Sequence, residues 1–167
     1  VPVPTELLST HTGGFEGLYF RDLTDDMTEI GDHFSRLGLE FDAIYTGFLG
    51  SERQISIVSD FLYRFGKKSY LRFVDPVMGD DGALYSTYND SLAAGMKHLC
   101  EKADIITPNL TEACYLTGTE SRDTGKMSEN DAADLAAKVC RKLGDLTDAD
   151  IVITGIDTVE GKVGCYC

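Results

Sequence analysis

The chain has 167 residues, with 15 basic and 28 acidic side chains and a formal net charge of −13. This length fits one domain that buries a core without disulfide cross-links. The acidic surface would repel phosphate backbones, which excludes nucleic acid as an expected partner, and no run of 18 apolar residues is available to span a membrane.

The five cysteines form no C-x-x-C pair, and their number is odd. Cys100, Cys114 and Cys140 stand in apolar contexts and are interpreted as small core residues. A chain without a disulfide framework is typical of a reducing compartment. We therefore expect a cytoplasmic protein.

Four short apolar runs, each bounded by glycine, proline or a polar turn, predict β-strands. They lie at residues 41–47, 70–74, 103–107 and 150–155. Helical patterns separate them, so the order is β–α–β–α–β–α–β. That alternation predicts an α/β fold with a mainly parallel central sheet between layers of helices.

Apolar residues at helical spacing predict three of the helices. Their expected buried faces are Ile30, Phe34 and Leu37 in the first helix, Ile55, Val58, Leu62 and Phe65 in the second, and Leu135, Val139 and Leu143 in the third. Ser51 is predicted to cap the second helix, and Ser128 the third, in a pattern that resembles a capping box with Asp131. Gly38 and Gly66 mark helix ends.

Acidic side chains follow the second strand. Asp75 comes directly after it, before Pro76, and Asp80 lies five residues later in the stretch Gly79-Asp80-Asp81-Gly82, which is expected to form a flexible, open loop. Ligands of open parallel sheets bind beyond the carboxyl ends of the strands, and carboxylates there suit magnesium. The alternative for both residues is an ordinary turn, with Asp75 capping nearby amides and Asp80 solvated.

A second polar turn follows the third strand and contains Thr107, Pro108, Asn109 and Glu112. Asn109 and Glu112 have the spacing of a capping box, so Glu112 has a purely structural interpretation. The functional alternative places Glu112 at the same sheet edge as Asp75. In that case the carboxylates would share a magnesium ion with substrate phosphates.

Three stretches together resemble the pyridoxal kinases of the ribokinase-like superfamily. They are Ser9-Thr10-His11-Thr12-Gly13-Gly14-Phe15, Asp75-Pro76-Val77-Met78-Gly79-Asp80, and Ala103-Asp104-Ile105-Ile106-Thr107-Pro108-Asn109-Leu110-Thr111-Glu112. The second and third are shared across the superfamily. The first favours pyridoxal over hydroxymethylpyrimidine. The resemblance implies the three-layer αβα fold of that superfamily.

The resemblance also implies roles for individual residues. His11, Thr12, Gly13 and Phe48 would contact the pyridoxal ring. The residues implied at the ATP phosphates are Asp75, Thr107, Asn109, Glu112 and Thr154, and those implied at magnesium are Asp80 and Glu112. ATP would be the co-substrate, a monovalent cation would accompany magnesium, and the complete protein would be a homodimer.

One family motif has no counterpart in this chain. The family's Gly-x-Gly-Asp, with its anion-binding amides and its catalytic aspartate, is not found among residues 1–167. The substrate-contacting opening strand is not found either. Residues 1–167 are therefore expected to form one incomplete kinase domain, truncated at both ends and inactive alone, with the catalytic Asp beyond Cys167.

The activity implied for the complete protein is transfer of the ATP γ-phosphoryl group to the 5′-hydroxyl of pyridoxal, pyridoxamine or pyridoxine. Such a transfer needs positioning and charge neutralisation more than covalent chemistry. Three alternatives stay open at this point. The first is a hydroxymethylpyrimidine kinase of the same fold, and the second is a non-catalytic ligand-binding member. The third is a binding module whose acidic loops only cap helices.

Overall fold

The computed structural model describes residues 1–10, 17–122, 126–159, 161 and 163–167. The helices are α1 (Thr24–Arg36), α2 (Glu52–Arg64), α3 (Asp90–Cys100), α4 (Leu110–Leu116) and α5 (Glu129–Gly144). The strands are β1 (Glu6–Leu8), β2 (Phe20–Asp22), β3 (Phe41–Thr46), β4 (Gly66–Val74), β5 (Gly79–Asp80), β6 (Ala83–Leu84), β7 (Ile105–Ile106), β8 (Asp150–Ile151), β9 (Ile153–Asp157) and β10 (Val163–Tyr166).

A four-stranded parallel sheet lies at the centre of the fold, in the order β3-β4-β7-β8. Its register pairs Thr46 with Val74 and Val74 with Ile106, so the three strands end level with one another. This confirms the predicted α/β class and the parallel sheet. It also aligns the turns that follow these strands along one edge.

The helices that connect these strands cover one face of the sheet. Each connection advances in the same direction across the strand order, and parallel crossovers are right-handed, so α2, α3 and the α4–α5 pair lie on the same side. The core beneath them includes fully buried Val74, Ile106, Met96, Leu99 and Val139. Burial of such side chains stabilises the fold by about 1.5–3 kcal/mol each.

The opposite face of the sheet stays partly exposed. The register aligns Ala43 with Leu71, and Tyr45 with Phe73 and Ile105, across neighbouring strands. Leu71 is 51% exposed and Tyr45 is 61% exposed. An apolar row of this kind shows that the described residues bury one face of the sheet more fully than the other.

Most of the predicted helices are confirmed. Ser51 Oγ accepts from the Gln54 N–H at 3.2 Å, and Ser128 Oγ accepts from the Asp131 N–H at 3.2 Å, so both serines cap their helices. The Asp131 carboxylate accepts from the Ser128 hydroxyl at 2.7 Å. The expected face of the first helix was wrong at Leu37, which lies beyond the last turn of α1 and is exposed.

The buried face of α1 consists of Thr24, Met27 and Gly31. A Cβ on Gly31 would lie 2.8 Å from Cζ of Phe61 in α2, so glycine permits the close approach of the two helices. Sequence periodicity missed Gly31 because a glycine adds nothing to an apolar pattern.

Two-stranded antiparallel sheets accompany the central sheet. They pair β1 with β2, β5 with β6 and β9 with β10. The β5–β6 turn has Asp81 at φ 49° and Gly82 at φ 85°, which is the left-handed pair of a type I′ turn. The Asp-Gly pair at 81–82 thus forms a tight hairpin rather than the open loop expected from the sequence.

Candidate active site at the carboxyl edge of the sheet

The turns that follow the parallel strands bring the predicted polar residues to one edge. Asp75 follows β4 directly, Thr107 follows β7, and the Thr107 N–H donates to Val74 O at 3.1 Å. Thr154 lies in β9, where its N–H donates to Pro108 O at 2.9 Å. The structure therefore places Asp75, Thr107 and Thr154 beyond the carboxyl ends of the neighbouring strands β4, β7 and β8.

Glu112 is the most buried acidic side chain in this region, at 3% exposure. Its Oε2 accepts from the Asn109 N–H at 2.7 Å, while Asn109 Oδ1 accepts from the Glu112 N–H at 2.9 Å. These two bonds form the reciprocal capping box at the start of α4. The structural interpretation of the Asn109–Glu112 spacing is thereby confirmed.

The same helix start is also bonded to the acidic turn after β4. Glu112 Oε1 accepts from the Met78 N–H at 3.1 Å, and Asn109 Nδ2 donates to Gly79 O at 2.8 Å. Thr111 Oγ1 accepts from the Gly82 N–H at 2.9 Å. Three polar side chains near the α4 N-terminus, those of Asn109, Thr111 and Glu112, thus hold the β5–β6 hairpin in place.

Burial makes this edge electrostatically unusual. It raises the pKa of Glu112 to about 7, against the opposing effect of the amide donors of Asn109 and Met78. Burial also raises the pKa of Asp75, and the charge of Asp75 adds to the rise at Glu112. Within the described part of the chain neither carboxylate forms an ion pair. A cation at this edge would relieve both effects.

Tyr45, near the end of β3, contacts the first of these carboxylates. Its hydroxyl donates to Asp75 Oδ2 at 2.6 Å, and its ring lies 5.2 Å from the ring of Phe73. Desolvation raises the pKa of Tyr45 to about 12, and the bond to Asp75 contributes to that rise. The phenol therefore keeps its proton in the neutral range and donates a hydrogen bond to Asp75.

Two further residues follow at the end of β3. Thr46 is buried, and its Oγ1 has no hydrogen-bond partner among the described residues. Phe48 is half-buried, with its ring 6.2 Å from that of Tyr88. Both line a cavity of about 700 Å³ that also borders residues 1–6 and apolar side chains of α1 and α2. A mostly apolar cavity of this size suits an aromatic ring.

The predicted magnesium ligands differ in their surroundings. Asp80 is exposed and its Oδ1 accepts from the Asp81 N–H at 2.9 Å, whereas Glu112 is buried with both oxygens accepting amide hydrogens. In the described ranges no three His, Cys, Asp or Glu side chains converge as a metal cluster. The magnesium pair stays a prediction. His11, Thr12 and Gly13 lie outside the described residues.

Sequence reasoning missed Tyr45 and Thr46. A tyrosine in an exposed row of a strand gives no functional signal, because aromatic residues are common in strands. The signal that could have identified them was their position in the sheet. Both residues end a strand that neighbours the strand before Asp75, and parallel strands end at the same edge.

No helix in the described part of the chain is long and apolar enough to cross a membrane. The five cysteines are free thiols, with Cys100 and Cys114 buried. Burial raises the pKa of both thiols. They are core residues, as expected from their apolar contexts.

Comparison with solved structures identifies the fold. Pyridoxal kinase from Lactobacillus plantarum is 32% identical, with a TM-score of 0.81 over 98% of this chain and 55% of that protein. A candidate phosphomethylpyrimidine kinase from Bacteroides thetaiotaomicron, crystallised with pyridoxal, is 38% identical, with a TM-score of 0.76 over 96% of this chain and 54% of that protein. These similarities confirm the ribokinase-like fold.

Comparison at the sequence level gives a consistent result. Hydroxymethylpyrimidine/phosphomethylpyrimidine kinase from Rhizobium meliloti is 35% identical over 80 residues, which are 48% of this chain and 29% of that protein. The chain spans less than a third of that relative and about half of the solved structures. The model of the phosphomethylpyrimidine kinase family matches residues 29–163. The chain therefore belongs to the phosphomethylpyrimidine kinase family.

Proposed function

We propose that the complete protein transfers the γ-phosphoryl group of ATP to the 5′-hydroxyl of pyridoxal, pyridoxamine or pyridoxine. The observation that supports this most is the pair of carboxylates, Asp75 and Glu112, at the carboxyl edge of a parallel sheet. Burial raises the pKa of each, and the charge of Asp75 raises that of Glu112 further. Such an edge is where α/β proteins bind nucleotides.

Magnesium–ATP fits the residues at this edge. Magnesium commonly takes one or two carboxylates together with phosphate oxygens and water, so an all-protein cluster is not required. Asp80 and Glu112 would hold the metal, which neutralises phosphate charge when bound. Glu112 retains acceptor capacity, because a carboxylate has about four lone-pair sites, more than the amides of Met78, Asn109 and Gly79 occupy. A monovalent cation beside Asp75 would offset the remaining negative charge.

The residues of this chain would act by positioning. Asn109 holds Gly79 O and caps α4, which fixes Glu112 relative to the acidic turn. Thr107 and Thr154, at the ends of neighbouring strands, would approach the phosphates. Pre-organised groups of this kind reduce the reorganisation needed when charge develops in the transition state.

The preference for pyridoxal has three kinds of support. The stretch His11-Thr12-Gly13 resembles that of pyridoxal kinases, and a solved pyridoxal kinase aligns over 98% of this chain. Phe48 adds an aromatic ring at a cavity large enough for a pyridine ring. Hydroxymethylpyrimidine kinase is the second candidate, because the matching family model bears that description.

The experiment compares two neighbouring acids in the full-length protein. Asp80→Asn removes a predicted metal ligand from an exposed position, so the melting temperature should change little. The magnesium concentration needed for half-maximal activity should rise by about tenfold or more, since one carboxylate is lost from the metal site. Asp81→Asn is the matched control, because asparagine tolerates the left-handed φ of 49°. Equal magnesium dependence in both variants would contradict the proposed metal site.

We also propose that the complete protein is a homodimer. The support is the resemblance to pyridoxal kinases, in which dimers are common. Light scattering at micromolar concentration tests the assembly, and a monomer would contradict it.

A further inference from the structure

We infer that Tyr45 is a positioning residue for nucleotide binding, which acts by orienting the Asp75 carboxylate at the sheet edge. This inference rests on the proposed function, in which Asp75 lies beside the nucleotide and its cations. It assigns a role to a residue that no sequence motif singled out. The hydrogen bond between Tyr45 and Asp75, at 2.6 Å, is the observation on which it depends.

The geometry gives Tyr45 a fixed direction. Its backbone is paired near the carboxyl end of β3, opposite Phe73 in β4, and the two rings lie 5.2 Å apart. The strand and the neighbouring ring together restrict where the hydroxyl can point. Asp75 follows β4, and its N–H donates to Thr46 O at 3.0 Å, so the backbones on both sides of the bond are also tied together.

The electrostatics explain why Asp75 needs such a donor. Burial favours the neutral form of Asp75 and raises its pKa, and the hydrogen bond from Tyr45 opposes this rise. Glu112 lies near enough for the two carboxylates to interact unfavourably. A hydrogen-bond donor that is itself neutral stabilises the charged carboxylate and does not take the place of a bound cation. An arginine or lysine in the same place would occupy the position of that cation.

The substitution Tyr45→Phe tests this role, because it removes the hydroxyl and keeps the ring against Phe73. In the full-length protein we expect the KM for ATP and the Kd for magnesium–ADP to rise about threefold to tenfold. The KM for pyridoxal should stay within about twofold, and the melting temperature within about 2 °C. Tyr63→Phe is the matched control, since Tyr63 is 89% exposed on α2.

A double-mutant cycle shows whether Tyr45 acts through Asp75. Adding Tyr45→Phe to Asp75→Ala should produce no further loss of nucleotide affinity, because the acceptor is already gone. Asp75→Asn serves as a second background that keeps the shape of the side chain. Effects that multiply in the double variant would overturn the inference. An unchanged nucleotide affinity in Tyr45→Phe would also overturn the inference. The same holds if the KM for ATP and the KM for pyridoxal rise equally while the melting temperature falls.

The readouts separate this inference from the proposed function. Magnesium–ADP affinity is measured by calorimetry and does not depend on the phosphoryl acceptor. If the wild-type protein binds magnesium–ADP without phosphorylating pyridoxal, the proposed substrate is wrong, and the cycle still decides the role of Tyr45. If the wild-type protein does not bind magnesium–ADP, both proposals are overturned.

Discussion

Glu112 Oε1 accepts a hydrogen bond from the backbone N–H of Met78, 34 residues earlier in the chain, at 3.1 Å. The other oxygen of the same carboxylate accepts from the Asn109 N–H. One side chain thus joins the turn after β4 to the turn after β7. The structural role and the proposed metal role of Glu112 are compatible, because the amide bonds orient the carboxylate that would face the cation.

The substitution Glu112→Gln should reveal both roles. An amide side chain offers one acceptor where the carboxylate offers two, so one buried N–H loses its partner. We expect the free energy of unfolding to fall by about 1–3 kcal/mol, measured by urea denaturation of the full-length protein. Magnesium-dependent turnover should fall by a larger factor than this loss of folded protein accounts for. Unchanged stability would contradict the two hydrogen bonds of Glu112.

Asn109→Ala should destabilise the protein more than the removal of an ordinary helix cap. Asn89→Ala is the control, since Asn89 Oδ1 caps α3 by accepting from the Leu92 N–H at 2.8 Å. An asparagine cap contributes about 1 kcal/mol. Asn109 also donates to Gly79 O, so Asn109→Ala should lower the free energy of unfolding by about 1 kcal/mol more than Asn89→Ala does. Equal losses in chemical denaturation would show that the Gly79 contact contributes nothing.

Gly79→Ala should disturb the acidic turn by steric overlap. A Cβ at this position would lie 2.9 Å from Leu84 Cα and closer still to the Ala83 carbonyl oxygen. Backbone atoms cannot move aside as a flexible side chain can, so we expect a loss of about 1–3 kcal/mol. Gly144→Ala is the control, because nothing lies within 4 Å of its added Cβ. A Gly79→Ala protein as stable as wild type would contradict the close β5–β6 pairing.

The ion pair between Arg72 and Asp104 predicts an acid-side loss of stability. Hydrogen bonds from the Arg72 guanidinium and N–H lower the pKa of Asp104 below its ordinary value of 3.8. An acid with a lowered folded-state pKa adds stability above the unfolded value, and that stability is lost as the pH falls through the folded value. Both side chains are about one-third exposed, so solvent screening reduces the effect.

This pH dependence can be measured with two variants. Asp104→Asn should lose less stability than wild type when urea denaturation is repeated at falling pH below about 4. Arg72→Met should reduce the acid-side loss in the same way, because it removes the donor rather than the acceptor. If the free energy of unfolding of both variants fell with decreasing pH as steeply as that of wild type, Arg72 would not be lowering the pKa of Asp104.

The sequence predicted the scaffold of this site better than its details. Breaker residues after each apolar run located the strand ends, so the common edge of Asp75, Thr107 and Glu112 followed from parallel order alone. The type I′ turn at residues 81–82 was available in the Asp-Gly pair, yet it was interpreted as an open loop. Acidic residues between glycines fit both descriptions.

Contacts between distant segments were beyond any local pattern. The bond from Tyr45 to Asp75 spans 30 residues, and that from Gly82 to Thr111 spans 29. Each depends on strand register, which a single chain segment does not encode. The burial of Glu112 has the same origin, because the residues that cover it come from other turns. Its raised pKa was therefore not predictable from the capping-box spacing.

We propose that the complete protein is an ATP-dependent kinase of pyridoxal, pyridoxamine or pyridoxine. The most direct measurement is the formation of pyridoxal phosphate, followed by absorbance, by the full-length protein with ATP and magnesium. We expect turnover with pyridoxal that requires magnesium, and much lower turnover with hydroxymethylpyrimidine. Turnover of hydroxymethylpyrimidine with no formation of pyridoxal phosphate, or no phosphoryl transfer to either compound, would contradict the account.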